Sequence, residues 1–174
     1  MPGQSAELSA FSHNAYPITQ QAFDVLSREI EELEHAVRDE HARGFSASDD
    51  AVGSPLAFPG QTTASMVKRL TALRDVLANA QIVRSRNVAA IGRRVTIREP
   101  DGTHECYTIV FPGDGDPRNG WVSADSPIGV ALLWALTGQQ VVVQAPAGPR
   151  PVRILGVEAP ERERLARAVA MPDD

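Results

Sequence analysis

Ser126-Pro127-Ile128-Gly129-Val130-Ala131-Leu132-Leu133, then Gly138-Gln139-Gln140-Val141-Val142-Val143, then Ala145-Pro146-Ala147-Gly148, and last Val152-Arg153-Ile154-Leu155-Gly156-Val157, read as helix, strand, turn and strand. Ser126 is a strong N-cap, and Pro127 suits the first helical turn, where a missing N–H costs nothing. The helix is expected to reach Leu136. Strands are expected over 140–144 and 151–157. Just upstream, Arg94-Val95-Thr96-Ile97-Arg98 alternates with period two, Pro100-Asp101-Gly102 is a turn, and 105–110 forms a second alternating run. Together these make a hairpin. A Gly- and Pro-rich loop fills 111–120. Residues 84–158 therefore read as a small domain of four or more antiparallel strands with one short helix.

Working outward, the period changes from two to that of a helix. Phe23, Leu26, Ile30, Leu33 and Val37 repeat at spacings of three, four, three and four, behind Thr19 as N-cap and before Gly44 as stop. Such a helix of about 24 residues is about 36 Å long. The pattern breaks over 45–61 at Gly53, Pro55, Pro59 and Gly60, then restarts as Met66, Leu70, Leu73, Leu77 and Ala80, capped by Thr62 or Thr63. Two stripes joined by one loop bury each other by folding back as an antiparallel coiled-coil hairpin. The fold class is thus α+β. A flexible leader (1–18) precedes the hairpin (19–83, tip loop 45–61), and the β domain (84–158) is followed by a charged tail (159–174).

Composition narrows function. The chain has 174 residues, 43% hydrophobic and 5% aromatic, with a net charge of −5. That balance suits aliphatic packing and argues against duplex DNA wrapping, which needs clustered Lys and Arg. The single cysteine, Cys106, forms no internal disulfide. No signal-peptide pattern opens the chain, and no apolar run approaches the roughly 18 residues that span a bilayer. A cytoplasmic protein without membrane contact is expected. His104 and Cys106 share a strand face, but two ligands do not make a zinc site. Asp114-Gly115-Asp116 lacks the glycine position and flanking helices of a calcium loop.

The motifs quoted first resemble the signature of the Gre factors, a family of transcription elongation and transcript-cleavage factors. Leu77-Ala78-Asn79-Ala80-Gln81-Ile82-Val83 is similar to that family's junction between hairpin and globular domain. The resemblance covers roughly residues 19–158. It implies an FKBP-like C-terminal domain that docks on RNA polymerase at the mouth of its secondary channel, with the hairpin running inward. It also implies that Asp125, Ser126 and Pro127 form the polymerase contact. Tip acids in the family help hold a Mg²⁺ that belongs to the polymerase, so the chain needs no cofactor or metal of its own. It would meet nucleic acid only through the polymerase and act as a monomer.

At the tip this sequence departs from the family. Asp49 and Asp50 stand adjacent in Ser48-Asp49-Asp50-Ala51-Val52-Gly53-Ser54-Pro55, and the acid expected three residues on is replaced by Val52 or Gly53. The expectation is a channel-binding regulator of elongation, pausing or initiation, and not an enzyme. One alternative is a genuine cleavage factor in which Asp49 and Asp50 are the catalytic tip acids. The other is a dimeric coiled-coil adaptor that never meets polymerase.

Overall fold

The computed structural model describes residues 15–46 and 63–159. The N-terminal part consists of strand β1 (Tyr16–Ile18), helix α1 (Gln20–Ser46), helix α2 (Thr63–Ala78) and strand β2 (Ala80–Ile82). The globular part follows as β3 (Arg94–Arg98), β4 (His104–Val110), β5 (Trp121–Ser123), α3 (Pro127–Leu132), β6 (Gln140–Ala145) and β7 (Gly148–Glu158). The expected α+β plan is the observed one: a two-helix hairpin carried by a curled sheet with one short helix.

Thr19 caps α1 as its sequence suggests, its Oγ1 accepting from Ala22 N at 3.1 Å. Gly44 does not stop the helix. The intrahelical ladder continues to Ser46, because one glycine costs only about 1 kcal/mol in a helix interior. The two helices meet through Ala22, Leu26, Ile30 and Leu33 on one side and Met66, Leu70, Leu73 and Val76 on the other, all buried. The stripe is rotated slightly from the expected one. Phe23, Val37 and Leu77 pack at its margin, and Ala80 has left the helix for β2. The expected tip, including Asp49 and Asp50, lies outside the described residues from 47 onward, as do the alternative cap Thr62, residues 1–14 and the tail from 160.

The flexible leader expected over 1–18 needs correction at its end. Tyr16–Ile18 is a strand, paired in parallel with β2 in the register Tyr16↔Ala80, Pro17↔Gln81, Ile18↔Ile82. Pro17 donates nothing but its carbonyl accepts from Ile91 N at 2.8 Å, and Ile91 O accepts from Thr19 N at 3.1 Å. Ile18 is fully buried. Because β1 enters α1 and α2 runs out into β2, this pair closes the base of the hairpin and sets the helices antiparallel. Gly92 lies directly beneath: at φ +83°, an added Cβ would stand 2.6 Å from Thr19 Oγ1 and 2.7 Å from Ala22 Cβ. The base of α1 therefore rests on bare backbone.

The sheet order is β5-β4-β3-β7-β6. The sheet expected to be antiparallel is mixed: β5 runs parallel to β4, because the ten residues 111–120 between them are long enough to carry the chain back, and all other neighbours are antiparallel. Its inner face (Val95, Ile97, Ile109, Val143, Val152, Ile154) closes over Leu132 of α3 and is continuous with the base of the hairpin seam. Two parts thus share one core.

A fully buried leucine truncated to alanine costs about 2–5 kcal/mol. Leu73→Ala, at 0% exposure, should lose stability in that range in urea unfolding. Leu77→Ala, at the seam margin, should lose clearly less. Equal losses would mean that the stripe is misplaced.

Candidate functional site

The segment expected to contact a partner, Asp125-Ser126-Pro127, lies where β5 turns into α3. Ser126 has extended backbone, φ −71° and ψ 156°, and its Oγ accepts from Gly129 N at 3.1 Å while donating to Ser123 O at 2.6 Å. Pro127 occupies the first turn and is exposed, as is Asp125. Val130, one turn further, is 61% exposed. The outcome is an acid, a proline ring and an aliphatic side chain on one rigid corner. Gly129 makes the corner tight, since an added Cβ there would fall 1.9 Å from Ser123 O. The structure brings the three expected residues together.

Beneath the corner sits Ser123, which sequence reasoning passed over. Its hydroxyl takes a hydrogen bond from Gly113 N at 3.0 Å, lies 3.2 Å from Phe111 O, and bonds the Asp125 carboxylate. It ties the 111–116 loop to the exposed acid.

The same loop is gripped from the hairpin by Arg69. Its Nη1 donates to Pro112 O at 2.6 Å, and Nη2 donates to Asp114 Oδ2 at 2.8 Å and to Glu29 Oε1 at 2.9 Å. Nε adds a 3.0 Å bond to Glu29 Oε1. In sequence Arg69 reads as one of several scattered surface bases (with Lys68, Arg74, Arg84 and Arg86); instead it is a half-buried link between α1, α2 and the globular domain. No local signal marks it, because its partners lie 40 to 45 residues away. A second pair, Arg74 to Glu34 at 2.6 Å, links the helices in a more exposed position and holds the Glu34 carboxyl below its usual range.

The charges within the link are unequally satisfied. Burial works against the Arg69 charge, but Asp114 and Glu29 together more than offset it and raise its pKa. Asp114 is pushed up to about 6, by burial first. Arg69 counteracts this, whereas Glu29 and Asp125 add to it. The exposed corner and the buried link therefore share one electrostatic environment.

Among the described residues no group of three or more His, Cys, Asp or Glu could hold a metal ion. Asp116 caps the 3₁₀ turn Pro117–Asn119, its Oδ1 accepting from Arg118 N at 3.0 Å. No helix among these residues is long and apolar enough to cross a membrane. Asp49 and Asp50 lie outside the described residues.

Comparison with known proteins fixes the family. Residues 84–159 match the family described as "Transcription elongation factor, GreA/GreB, C-term". Transcription elongation factor GreA of Bacillus cytotoxicus is 34% identical over 158 residues, covering 84% of this chain and 99% of the relative. The chain belongs to the GreA/GreB family. GreA of Geobacillus kaustophilus is also 34% identical, over 154 residues, covering 82% of this chain and 96% of the relative. Among solved structures, a GreA/GreB factor from Nitrosomonas europaea is 23% identical at TM-score 0.43, covering 82% of this chain and 98% of that one. GreA factor homolog 1 of Thermus thermophilus is 24% identical at TM-score 0.38, covering 83% and 99%. In this Gre-family chain the corner at Asp125 and the link at Arg69 sit on the two sides of one short loop.

Two outcomes follow. Arg69→Ala strands two half-buried carboxylates and should cost on the order of 3 kcal/mol in chemical unfolding at pH 7. Asp114 also sets a pH dependence. Its folded pKa is raised above the unfolded value of 3.8. The folded state thus holds this proton more tightly than the unfolded chain. This group's contribution is full below about pH 4, declines as pH rises from about 4 to 6, and is gone above that window. Between pH 4 and 7 the parent should lose stability relative to Asp114→Asn by on the order of 2 kcal/mol. Parallel pH profiles for the two would refute the assignment.

Proposed function

We propose that this Gre-family chain binds RNA polymerase at its secondary channel and modulates elongation, pausing or initiation. One observation carries the reading: the match to a protein named transcription elongation factor GreA runs over 99% of that protein. The geometry supports a division of labour. The corner of Asp125, Ser126 and Pro127 is the docking contact, an anion and a proline ring on a rigid turn that can meet a basic, aromatic or aliphatic surface. The hairpin is the probe. With 27 residues, α1 is about 40 Å long, enough to reach well into a channel. The link at Arg69 holds the probe against the foot.

The chain is no enzyme by itself in this reading, because the polymerase owns the reacting RNA and the metal ions that activate water. The tip carries Asp49 and Asp50 side by side without an acid three residues on, so docking and obstruction take precedence over cleavage stimulation. Nucleic acid is met only through the polymerase. The helices bury their apolar stripes in each other within one chain, which favours a monomer over the coiled-coil adaptor.

Capture of core RNA polymerase by the immobilised chain tests docking. Asp125→Ala/Pro127→Ala should lower retained polymerase about tenfold, the size of a lost contact worth about 1.4 kcal/mol. Retention equal to the parent would overturn the contact. Transcript cleavage on stalled complexes should be near background for the parent and unchanged by Asp49→Ala/Asp50→Ala; a robust parent signal lost in that variant would establish the cleavage reading instead. Sedimentation should give 18.7 kDa, and twice that mass would favour the adaptor.

A further inference from the structure

The outer face of the sheet carries a feature that neither the docking corner nor the hairpin uses. Gln140 pairs with Arg153, Arg153 with Arg98, and Arg98 with His104, so the four side chains form one row across β6, β7, β3 and β4. All four are exposed. Their position follows from strand alternation: Ile97 and Ile154, the neighbours of Arg98 and Arg153, are fully buried on the opposite face. At about 4.8 Å between strands, the row is about 14 Å long.

Like charges directly opposite one another on a ladder are destabilising. Here two arginines face each other in a chain whose net charge is −5, although many acids are available to the sequence. Among the described residues no carboxylate pairs with Arg98 or Arg153. Acids of the adjoining turn are engaged elsewhere: Glu99 is buried beside Arg150 at 3.4 Å, and Asp101 accepts from Thr103 N at 2.8 Å. The fold thus keeps two guanidiniums together and open to solvent, each with donors suited to bidentate contact with an oxyanion.

We propose that this row is a docking strip for an acidic segment of a partner protein. Arg98 and Arg153 take its carboxylates, with Gln140 and His104 adding hydrogen bonds at the ends. The neighbouring surface selects a polypeptide over a nucleic acid. Val142, 48% exposed, stands opposite exposed Pro151 on the same face and offers apolar contact. Among the described residues no aromatic side chain shares a strand pair with the row to stack on bases, as single-stranded nucleic acid sites do.

The test is fluorescence anisotropy of the full chain with two labelled probes: a peptide of Glu and Leu, and a single-stranded oligonucleotide of equal charge. The variants are Arg98→Glu, Arg153→Glu, and Arg84→Glu, which makes the same charge change away from the strip. Either strip variant sets opposite charges across the ladder, so its melting temperature should equal or exceed the parent's. Binding of the peptide should nonetheless fall about tenfold in each strip variant. Arg84→Glu should bind as the parent does, raised salt should weaken the parent's binding, and the oligonucleotide should bind more weakly than the peptide. The proposal is overturned if the parent fails to bind the peptide, if strip variants bind it unchanged, if Arg84→Glu weakens it equally, or if the oligonucleotide binds more tightly.

Discussion

One guanidinium sets the direction of the hairpin against the globular domain, beyond the bonds and core that join them at the base. Arg69 projects from α2, takes Glu29 of α1 in a two-nitrogen grip, and reaches past it to Pro112 O and Asp114 on the globular domain. The β1–β2 pair closes the hairpin at its base, but one closed point leaves a rod free to swing. Arg69 supplies a second point along the rod, and two points define a direction. Arginine suits the position because its planar fork serves three acceptors at once, which a lysine ammonium on a flexible stem does less well. Removing it would leave carboxylates without their counter-charge in a half-buried site, so the link is costly to break as well as directional.

The consequence for function lies in what the loop 111–116 touches. On one side it is held by Arg69. On the other, Gly113 N and Phe111 O meet the hydroxyl of Ser123, which bonds the exposed Asp125. In the proposed docking mode, a partner seated on the corner would press on the loop that anchors the rod. The charge of Asp125 contributes to the high pKa of Asp114, so a cationic group arriving at Asp125 would ease ionisation of Asp114 and tighten its hold on Arg69. The exposed corner and the anchor of the hairpin are thus mechanically adjacent in this chain.

Much of this was legible in the residues. The two apolar stripes gave the hairpin, and the alternating runs near 95 and 107 gave β3 and β4, because burial on one side leaves a periodic trace. Ser126 and Pro127 were legible as a helix start because capping is a local effect with strong residue preferences. What escaped was either too short or too distant. Strand β1 holds three residues, one of them proline, and β5 holds three within a Gly- and Pro-rich region; neither is long enough to alternate. The parallel sense of β5 is set by the path of the chain around Gly115 and Gly120, not by its own side chains. Arg69 resembled a surface base because nothing within a helical turn reveals a partner 45 residues ahead. The basic row was hidden for the same reason: Arg98 and Arg153 become neighbours only once β3 and β7 are in register.

The pairing of β1 has a bearing on how the chain is made. Tyr16–Ile18 cannot find its strand partner until Ile82 has been synthesised, nor its carbonyl partner until Ile91, and Ala15 is held by the indole N–H of Trp134 at 3.0 Å. On a ribosome, where chains emerge from the N-terminus first, the helices have every opportunity to zip by local contacts while the segment that locks their base waits for residues made much later. The first strand among the described residues is thus among the last to be secured, and the hairpin completes its attachment only when the globular domain is nearly whole.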